Sequence, residues 1–198
     1  MRGSIIILFC FTIGVLLGLY NLVPDMLIET DYSMYALYVL MFVVGVGVGS
    51  DKDSFKVIKT MNFKIVLVPI STIIGTYLGI GVFSFLQNKL NLIDCLAVGS
   101  GFGYYSLSSV LISELSGETL GVIALLSNIS REIITLLFTP VFLKLFGKLA
   151  PVSLGGATSM DTTLPIITKY SGADYAIISV FHGVVLTIII PFLITIIL

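Results

Sequence analysis

One stretch interrupts the apolar pattern of this chain: Gly155-Gly156-Ala157-Thr158-Ser159-Met160-Asp161-Thr162-Thr163-Leu164-Pro165. It contains two glycines, a proline, four hydroxyl side chains and one carboxylate, and the sequence on either side is largely apolar. Glycine and proline at this density disfavour a continuous helix. At membrane depth, irregular backbone is tolerated only where protein or a water-filled cavity surrounds it, and such breaks commonly mark binding sites. We therefore predict a membrane protein organised around this break.

The composition supports a location in lipid. Of the 198 residues, 57% are hydrophobic and 11% are charged, and the mean hydropathy is +1.13. Soluble domains usually carry about 25% charged residues. The net charge of -1 offers no basic surface for nucleic acid. We predict an all-α integral membrane protein with a single transmembrane domain, residues 1–198, in the cell (inner or plasma) membrane.

The residue inventory argues against a metal centre and against an enzyme. Cys10 and Cys95 lie in or beside apolar runs and are expected to be packing residues. His182 is the only histidine, which excludes a multi-histidine metal site. A serine protease built on Ser100 and His182 would lack a recognisable oxyanion hole, and an aspartyl protease would need a second aspartate beside Asp161. We predict no enzyme and no cofactor.

Five apolar segments are predicted to cross the membrane, and one lysine-rich segment fixes their orientation. The segment 51–64 contains four lysines and is therefore expected in the cytoplasm. Together with Arg2 it places the N-terminus in the cytoplasm. The predicted spans are Ile5–Tyr20, Ser33–Ser50, Ile65–Leu86, Thr119–Leu145 and Asp174–Leu198.

A second irregular segment is Gly99-Ser100-Gly101-Phe102-Gly103-Tyr104-Tyr105-Ser106-Leu107-Ser108-Ser109. Three glycines at alternate positions, followed by hydroxyl side chains, predict an unwound stretch that leads into a half-helix with free N-terminal amides. If both irregular segments, residues 95–115 and 151–169, span the membrane, the chain crosses it seven times. If both re-enter, it crosses five times, and only Lys89 among the flanking lysines lies outside, which the positive-inside rule favours. Both schemes leave the C-terminus outside.

Polar and charged residues within the apolar segments are candidates for function. A charge at the bilayer centre costs about 2.5–3.5 kcal/mol on insertion scales. Asn128 and Glu132 are four positions apart and share a helix face, whereas Arg131 lies about 100° around the helix from Glu132. Two interpretations stay open: a buried ion pair of Arg131 with Glu132 or Asp161, or separate functional partners for each charge.

Two further residues also have structural alternatives. Asp161 is a candidate N-cap for a half-helix that starts near Thr162, a role compatible with a functional one. His182 is either a hydrogen-bonded core histidine or part of a proton relay. The predicted substrate-binding or proton-binding residues are Asp161, Glu132, Arg131, Asn128, His182, Ser106, Ser159, Thr162 and Tyr104.

The sequence resembles the bacterial lysine exporter family. The resemblance rests, in chain order, on Gly101-Phe102-Gly103-Tyr104-Tyr105-Ser106-Leu107-Ser108, on Asn128 with Arg131-Glu132, on Gly156-Ala157-Thr158-Ser159-Met160-Asp161 with Thr163-Leu164-Pro165, and on His182-Gly183. It implies a secondary transporter that exports L-lysine and close analogues by proton-coupled antiport. The family also resembles the bile-acid and sodium–proton antiporter folds, in which two interrupted helices cross at the midplane. This analogy favours about seven transmembrane segments, two of them interrupted (discontinuous or re-entrant).

The resemblance also suggests partners and a mechanism. Family members carry further spans ahead of the matched part, so we expect a small separate membrane subunit that supplies them, or a homodimer. The expected partners are L-lysine, protons and the lipid bilayer. Protonation of Asp161 or Glu132 would remove the attraction for lysine, so proton and substrate would compete for one site. The alternatives are a cation–proton antiporter-like carrier and a passive or structural membrane subunit.

Overall fold

The structure is a computed structural model that describes residues 63–87 and 89–198, together with the isolated positions 9, 13, 16, 17, 19, 20, 35, 39, 42 and 46. The predicted segments 5–20, 33–50 and 51–62 lie outside the two continuous ranges. The chain divides into two compact units, Met1–Ala36 and Leu37–Leu198. Both continuous ranges belong to the second unit.

Every regular element in these two ranges is helical, as predicted. Short 3-10 turns at Phe63–Val66 and Gly156–Met160 accompany the α-helices. The helices are α1 (Leu67–Leu86), α2 (Leu92–Gly99), α3 (Tyr105–Ser116), α4 (Glu118–Phe146), α5 (Ala150–Gly155), α6 (Leu164–Ser171) and α7 (Asp174–Ile197).

Three of these helices, α1, α4 and α7, are long and apolar enough to cross a membrane. Their bounds differ from the predicted spans by no more than two residues at either end. Charges at the ends of α4 favour the helix, because Glu118 lies in its first turn and Lys144 in its last. An acid near the N-terminus and a base near the C-terminus both complement the helix dipole.

In each irregular segment a non-helical or 3-10 stretch separates two α-helices. In the first, the chain turns between α2 and α3 through Phe102, with φ of 43°, and Gly103, with φ of 94°. In the second, Gly156 has φ of 62° and ends α5 before the 3-10 turn. Positive φ is a conformation that favours glycine, so the glycines account for the position of each break.

The two halves of the second segment lie at the same end of the bundle. Val152 of α5 and Ile167 of α6 pack with Val68, in the first turn of α1, and Ile178 of α7 packs against them. One turn further on, Thr72 of α1 hydrogen-bonds His182 of α7. Thus α1 and α7 run parallel. Both α5 and α6 lie toward the Val68 end of the bundle, relative to the turn Gly156–Met160 that joins them.

The two halves of the first segment lie at the opposite end. Ala97 of α2 and Leu111 of α3 belong to a core cluster with Leu120 of α4 and with Ile190 and Ile194 of α7. Those two α7 residues come after His182 and are therefore far from Val68. Helix α4 consequently starts at the Ile194 end and, because only three residues join it to α5, finishes at the Val68 end.

Candidate functional site

The two breaks meet each other backbone to backbone. The amide of Ala157 donates a hydrogen bond of 2.8 Å to the carbonyl oxygen of Phe102. A Cβ atom on Gly156 would lie 2.0 Å from that oxygen, and one on Gly103 would lie 3.2 Å from the carbonyl oxygen of Gly155. The close approach therefore requires glycine at position 156. The two irregular segments of the sequence therefore meet at one junction.

Asn128 holds the first break to α4. Its side-chain Oδ1 accepts a hydrogen bond of 2.7 Å from the amide of Gly103, and its Nδ2 donates to the carbonyl oxygens of Val98 at 3.2 Å and Ala124 at 2.8 Å. The residue is 3% exposed. Because these bonds occupy both ends of the amide, the geometry gives Asn128 a positioning role rather than direct contact with a substrate.

Arg131 holds the second break to α4. Its Nε donates to the carbonyl oxygen of Leu154 at 3.0 Å and its Nη2 donates to that of Ser153 at 2.9 Å. The guanidinium carbon also lies 5.9 Å from the centroid of the Phe102 ring. Arg131 therefore contacts both breaks. These hydrogen bonds are to main-chain oxygens at the end of α5, and not to the carboxylates considered for an ion pair.

Glu132 and Asp161 form an acidic pair beside the junction. The side chain of Thr162 lies close to both carboxylates, and Glu132 lies within electrostatic range of Asp161. The amide of Thr162 also donates to Asp161 Oδ1 at 2.5 Å. Among residues 63–87 and 89–198, no lysine, arginine or histidine nitrogen forms an ion pair with either carboxylate within 4.0 Å.

Asp161 does not cap the following half-helix. The N-cap of α6 is Thr163, and the Asp161 carboxylate accepts its hydrogen bond from the amide of Thr162, outside α6. Both Asp161 and Thr162 are exposed, whereas Glu132 is half-buried. The N-cap alternative for Asp161 is therefore wrong.

The start of α3 lies near the acidic pair. Tyr105 lies within electrostatic range of Glu132 and Asp161, and Tyr104 lies near Asp161 and the side chain of Ser106. Sequence reasoning selected Tyr104 and Ser106 but not Tyr105. Two adjacent tyrosines after a glycine-rich turn give no indication of which ring faces the acids.

His182 and Ser159 lie apart from the acids, in the interior. His182 is 0% exposed; its Nε2 is 3.0 Å from Thr72 Oγ1 and its Nδ1 is 3.1 Å from Ser159 Oγ. Ser159 Oγ also lies 2.8 Å from the carbonyl oxygen of Ser179. This network ties the second break to α1 and α7. Thr72, one of its members, was not predicted as a site residue.

Comparison with known proteins connects this site to one family. A profile of the family described as lysine exporter LysO matches residues 8–198. The lysine exporter LysO of Escherichia coli K12 is 32% identical over 165 residues, which is 83% of this chain and 54% of that protein. A protein of Haemophilus influenzae Rd named "Putative lysine exporter" is 34% identical over 161 residues, 81% of each chain.

The chain thus spans about half the length of the Escherichia coli relative. No solved structure matches it. The family profile covers both breaks, the acidic pair and the buried histidine. The chain belongs to the LysO family of lysine exporters.

Proposed function

We propose that this protein is a secondary transporter, or a subunit of one, that exports L-lysine and close analogues from the cytoplasm in exchange for protons. One observation carries the proposal: Glu132 and Asp161 lie together around Thr162 with no ion-pair partner among the described residues. The names of the two relatives supply the substrate.

The acidic pair explains how substrate and proton would exclude each other. Two close carboxylates repel, and the repulsion is relieved either by a bound cation or by a proton on one of them. An ammonium group of lysine satisfies the first condition. Protonation satisfies the second and removes the attraction for lysine. Alternation between these two occupied states is an antiport cycle.

The substrate's own carboxylate needs donors near this pair. Helix α3 begins at Tyr105, and the first turn of a helix leaves main-chain amides free for an anion. We therefore assign the amides near Ser106 to the substrate carboxylate at this site. Arg131 uses its Nε donor and one Nη2 donor on Leu154 and Ser153, and we assign it no contact with the substrate at this site.

We further propose that both broken segments re-enter the membrane, from opposite sides, and that their tips meet at the junction. Support comes from α2 and α3, which share one end of the bundle, and from α5 and α6, which share the other. With the two predicted spans before residue 63, the chain then crosses the bilayer five times. The N-terminus lies in the cytoplasm and the C-terminus outside.

Lysine flux in reconstituted vesicles tests the function. We expect Asp161→Asn and Glu132→Gln each to lower lysine-driven proton exchange about tenfold or more, because each removes a charge-assisted contact. Asp174→Asn and Glu118→Gln are the matched controls, since both acids are exposed at helix starts. Wild-type flux in folded Asp161→Asn protein would refute the assignment.

The same vesicles separate the rival functions. A pH gradient that collapses on addition of Na⁺, but not of lysine, would identify a cation–proton antiporter. A steady current independent of lysine would identify a passive subunit. The predicted second subunit, or second copy of this chain, stays a prediction. Co-purification from the native membrane and the mass of the purified particle test it.

A further inference from the structure

The described residues of α1, α4 and α5 line an open cavity, a groove of about 870 Å³ that is not enclosed. Ligand cavities in proteins usually measure about 300–1,000 Å³. The apolar part of its wall includes Phe142 and Phe146. Its hydroxyl-bearing lining residues are Ser71, Thr72, Thr76, Ser127, Ser130 and Ser153.

This cavity is distinct from the acidic pair. Ser130 lines it, and Glu132 is two positions further along the same helix, about 200° around the axis. A helix with its side chains is about 10–12 Å across. Asn128 and Thr135, on the intervening part of α4, are buried. The cavity and the acidic pair therefore lie on opposite flanks of α4.

Arg131 gives the cavity a positive charge with free donors. A guanidinium has five N–H donors, and the bonds to Leu154 and Ser153 use the Nε donor and one Nη2 donor. Nη1 has no hydrogen-bond partner among the described residues. It is also not fully buried, because among these residues Ser171 Oγ is the only fully buried side-chain nitrogen or oxygen atom without a partner. Arg131 itself lines the cavity.

Several hydroxyls of the wall are unpaired as well. Within residues 63–87 and 89–198, the side chains of Thr76, Ser127 and Ser153 have no hydrogen-bond partner. Unpaired polar groups at membrane depth are costly unless water or a ligand satisfies them. A guanidinium edge beside hydroxyl donors is the chemistry that recognises a carboxylate.

We infer that this cavity binds the α-carboxylate of an amino acid, held by the free edge of Arg131 and the hydroxyls of Thr76, Ser127 and Ser153. The identity of that amino acid rests on the proposed function. The cavity is then a second station, separate from the acidic pair that receives the ammonium group.

Two probes separate the stations. L-Norleucine has the α-carboxylate of lysine without its ε-ammonium group, and cadaverine has both chain ammonium groups without the carboxylate. The cavity is expected to bind norleucine, and the acidic pair is expected to bind cadaverine.

Two glycines of α1 provide a matched pair of variants. Gly75 lines the cavity and Gly79 does not, and a Cβ atom at either position would meet nothing within 4 Å. A leucine at position 75 therefore adds bulk at the cavity wall, and its Cβ atom displaces no neighbour. A leucine at position 79 makes the same change to the helix one turn away.

Equilibrium binding to the full chain in lipid nanodiscs is the test. We expect Gly75→Leu to weaken norleucine binding about tenfold or more, the worth of a charge-assisted contact, and to leave cadaverine binding unchanged. Gly79→Leu should alter neither. Asp161→Asn should weaken cadaverine and leave norleucine bound.

Norleucine binding that is absent, or unchanged by Gly75→Leu, would overturn the inference. Equal weakening of both probes would also overturn it, because the cavity would then be only a passage. Loss of folded protein in both leucine variants would show that another helix packs against this face of α1, and this outcome would also overturn the inference. Failure of cadaverine to bind the wild type, with norleucine behaving as expected, would instead refute the acidic pair as a cation site.

Discussion

The amide of Ala157 and the carbonyl oxygen of Phe102 are joined by a 2.8 Å hydrogen bond, so the two helix breaks share one contact point. Asn128 fixes the first break to α4 and Arg131 fixes the second. These two residues are three positions apart on one helix. A single helix turn therefore determines how the two breaks are placed.

Cysteine labelling tests the re-entrant arrangement. In a background without Cys10 and Cys95, we expect a cysteine at Glu118 to react with a membrane-impermeant maleimide added to whole cells. A cysteine at Lys148 should react only after the membrane is opened. The reason is that α4 starts at the outer end and finishes at the inner end in the five-crossing scheme. The reverse labelling pattern would support seven crossings.

Gly156→Ala should destabilise the protein severely. A left-handed residue with a Cβ atom costs about 1–2 kcal/mol, and the clash with the Phe102 oxygen adds about 1–3 kcal/mol. The measurement is the midpoint of thermal unfolding in detergent. Gly172→Ala is a control for backbone strain alone, because its surroundings are open. An equal loss in both variants would show that the backbone contact contributes nothing.

Asn128→Ala should lower stability by about 1–3 kcal/mol, because it leaves the buried amide of Gly103 without an acceptor. Ser84→Ala, which removes a half-buried hydroxyl bonded within α1, should change stability by less than about 0.5 kcal/mol. Thermal unfolding and lysine affinity are measured together. Lost affinity with unchanged stability would indicate a substrate contact instead of a positioning role.

His182→Leu should cost about 1–3 kcal/mol, because the bonds to Thr72 and Ser159 disappear together. His182→Gln keeps a donor and an acceptor, and we expect it to retain transport with an unchanged pH profile. Transport between pH 5 and 8 distinguishes a structural histidine from a proton carrier. A flattened profile in stable His182→Gln protein would establish the relay.

The long helices and both breaks could be predicted from sequence because they depend on local composition. Apolar runs of sufficient length determine α1, α4 and α7, and glycine determines where α2 and α5 end. The helical spacing of Arg131 and Glu132 left open whether the two charges pair or face different partners. In the structure Arg131 bonds to main-chain oxygens of α5, and Glu132 lies near Asp161.

The partners themselves could not be predicted. Asn128 and Arg131 bond to main-chain carbonyls, and every residue type offers that acceptor, so no sequence pattern marks it. The direction of each half-helix after its break depends on packing between segments distant in the chain, such as Val68 with Val152 and Ile167. The family analogy favoured seven crossings and the positive-inside rule favoured five, which is the arrangement proposed above.

The junction between Phe102 and Ala157 has a mechanical consequence. Separating the two tips would break that bond and expose Arg131, whose bonds as a charged donor are worth about 1.5–3 kcal/mol each. A hinge motion at Gly103 or Gly156 would therefore cost the free energy of these contacts. The two breaks and α4 should therefore move together as one rigid body. Access to the acids would then change when this rigid body moves relative to the helices around it.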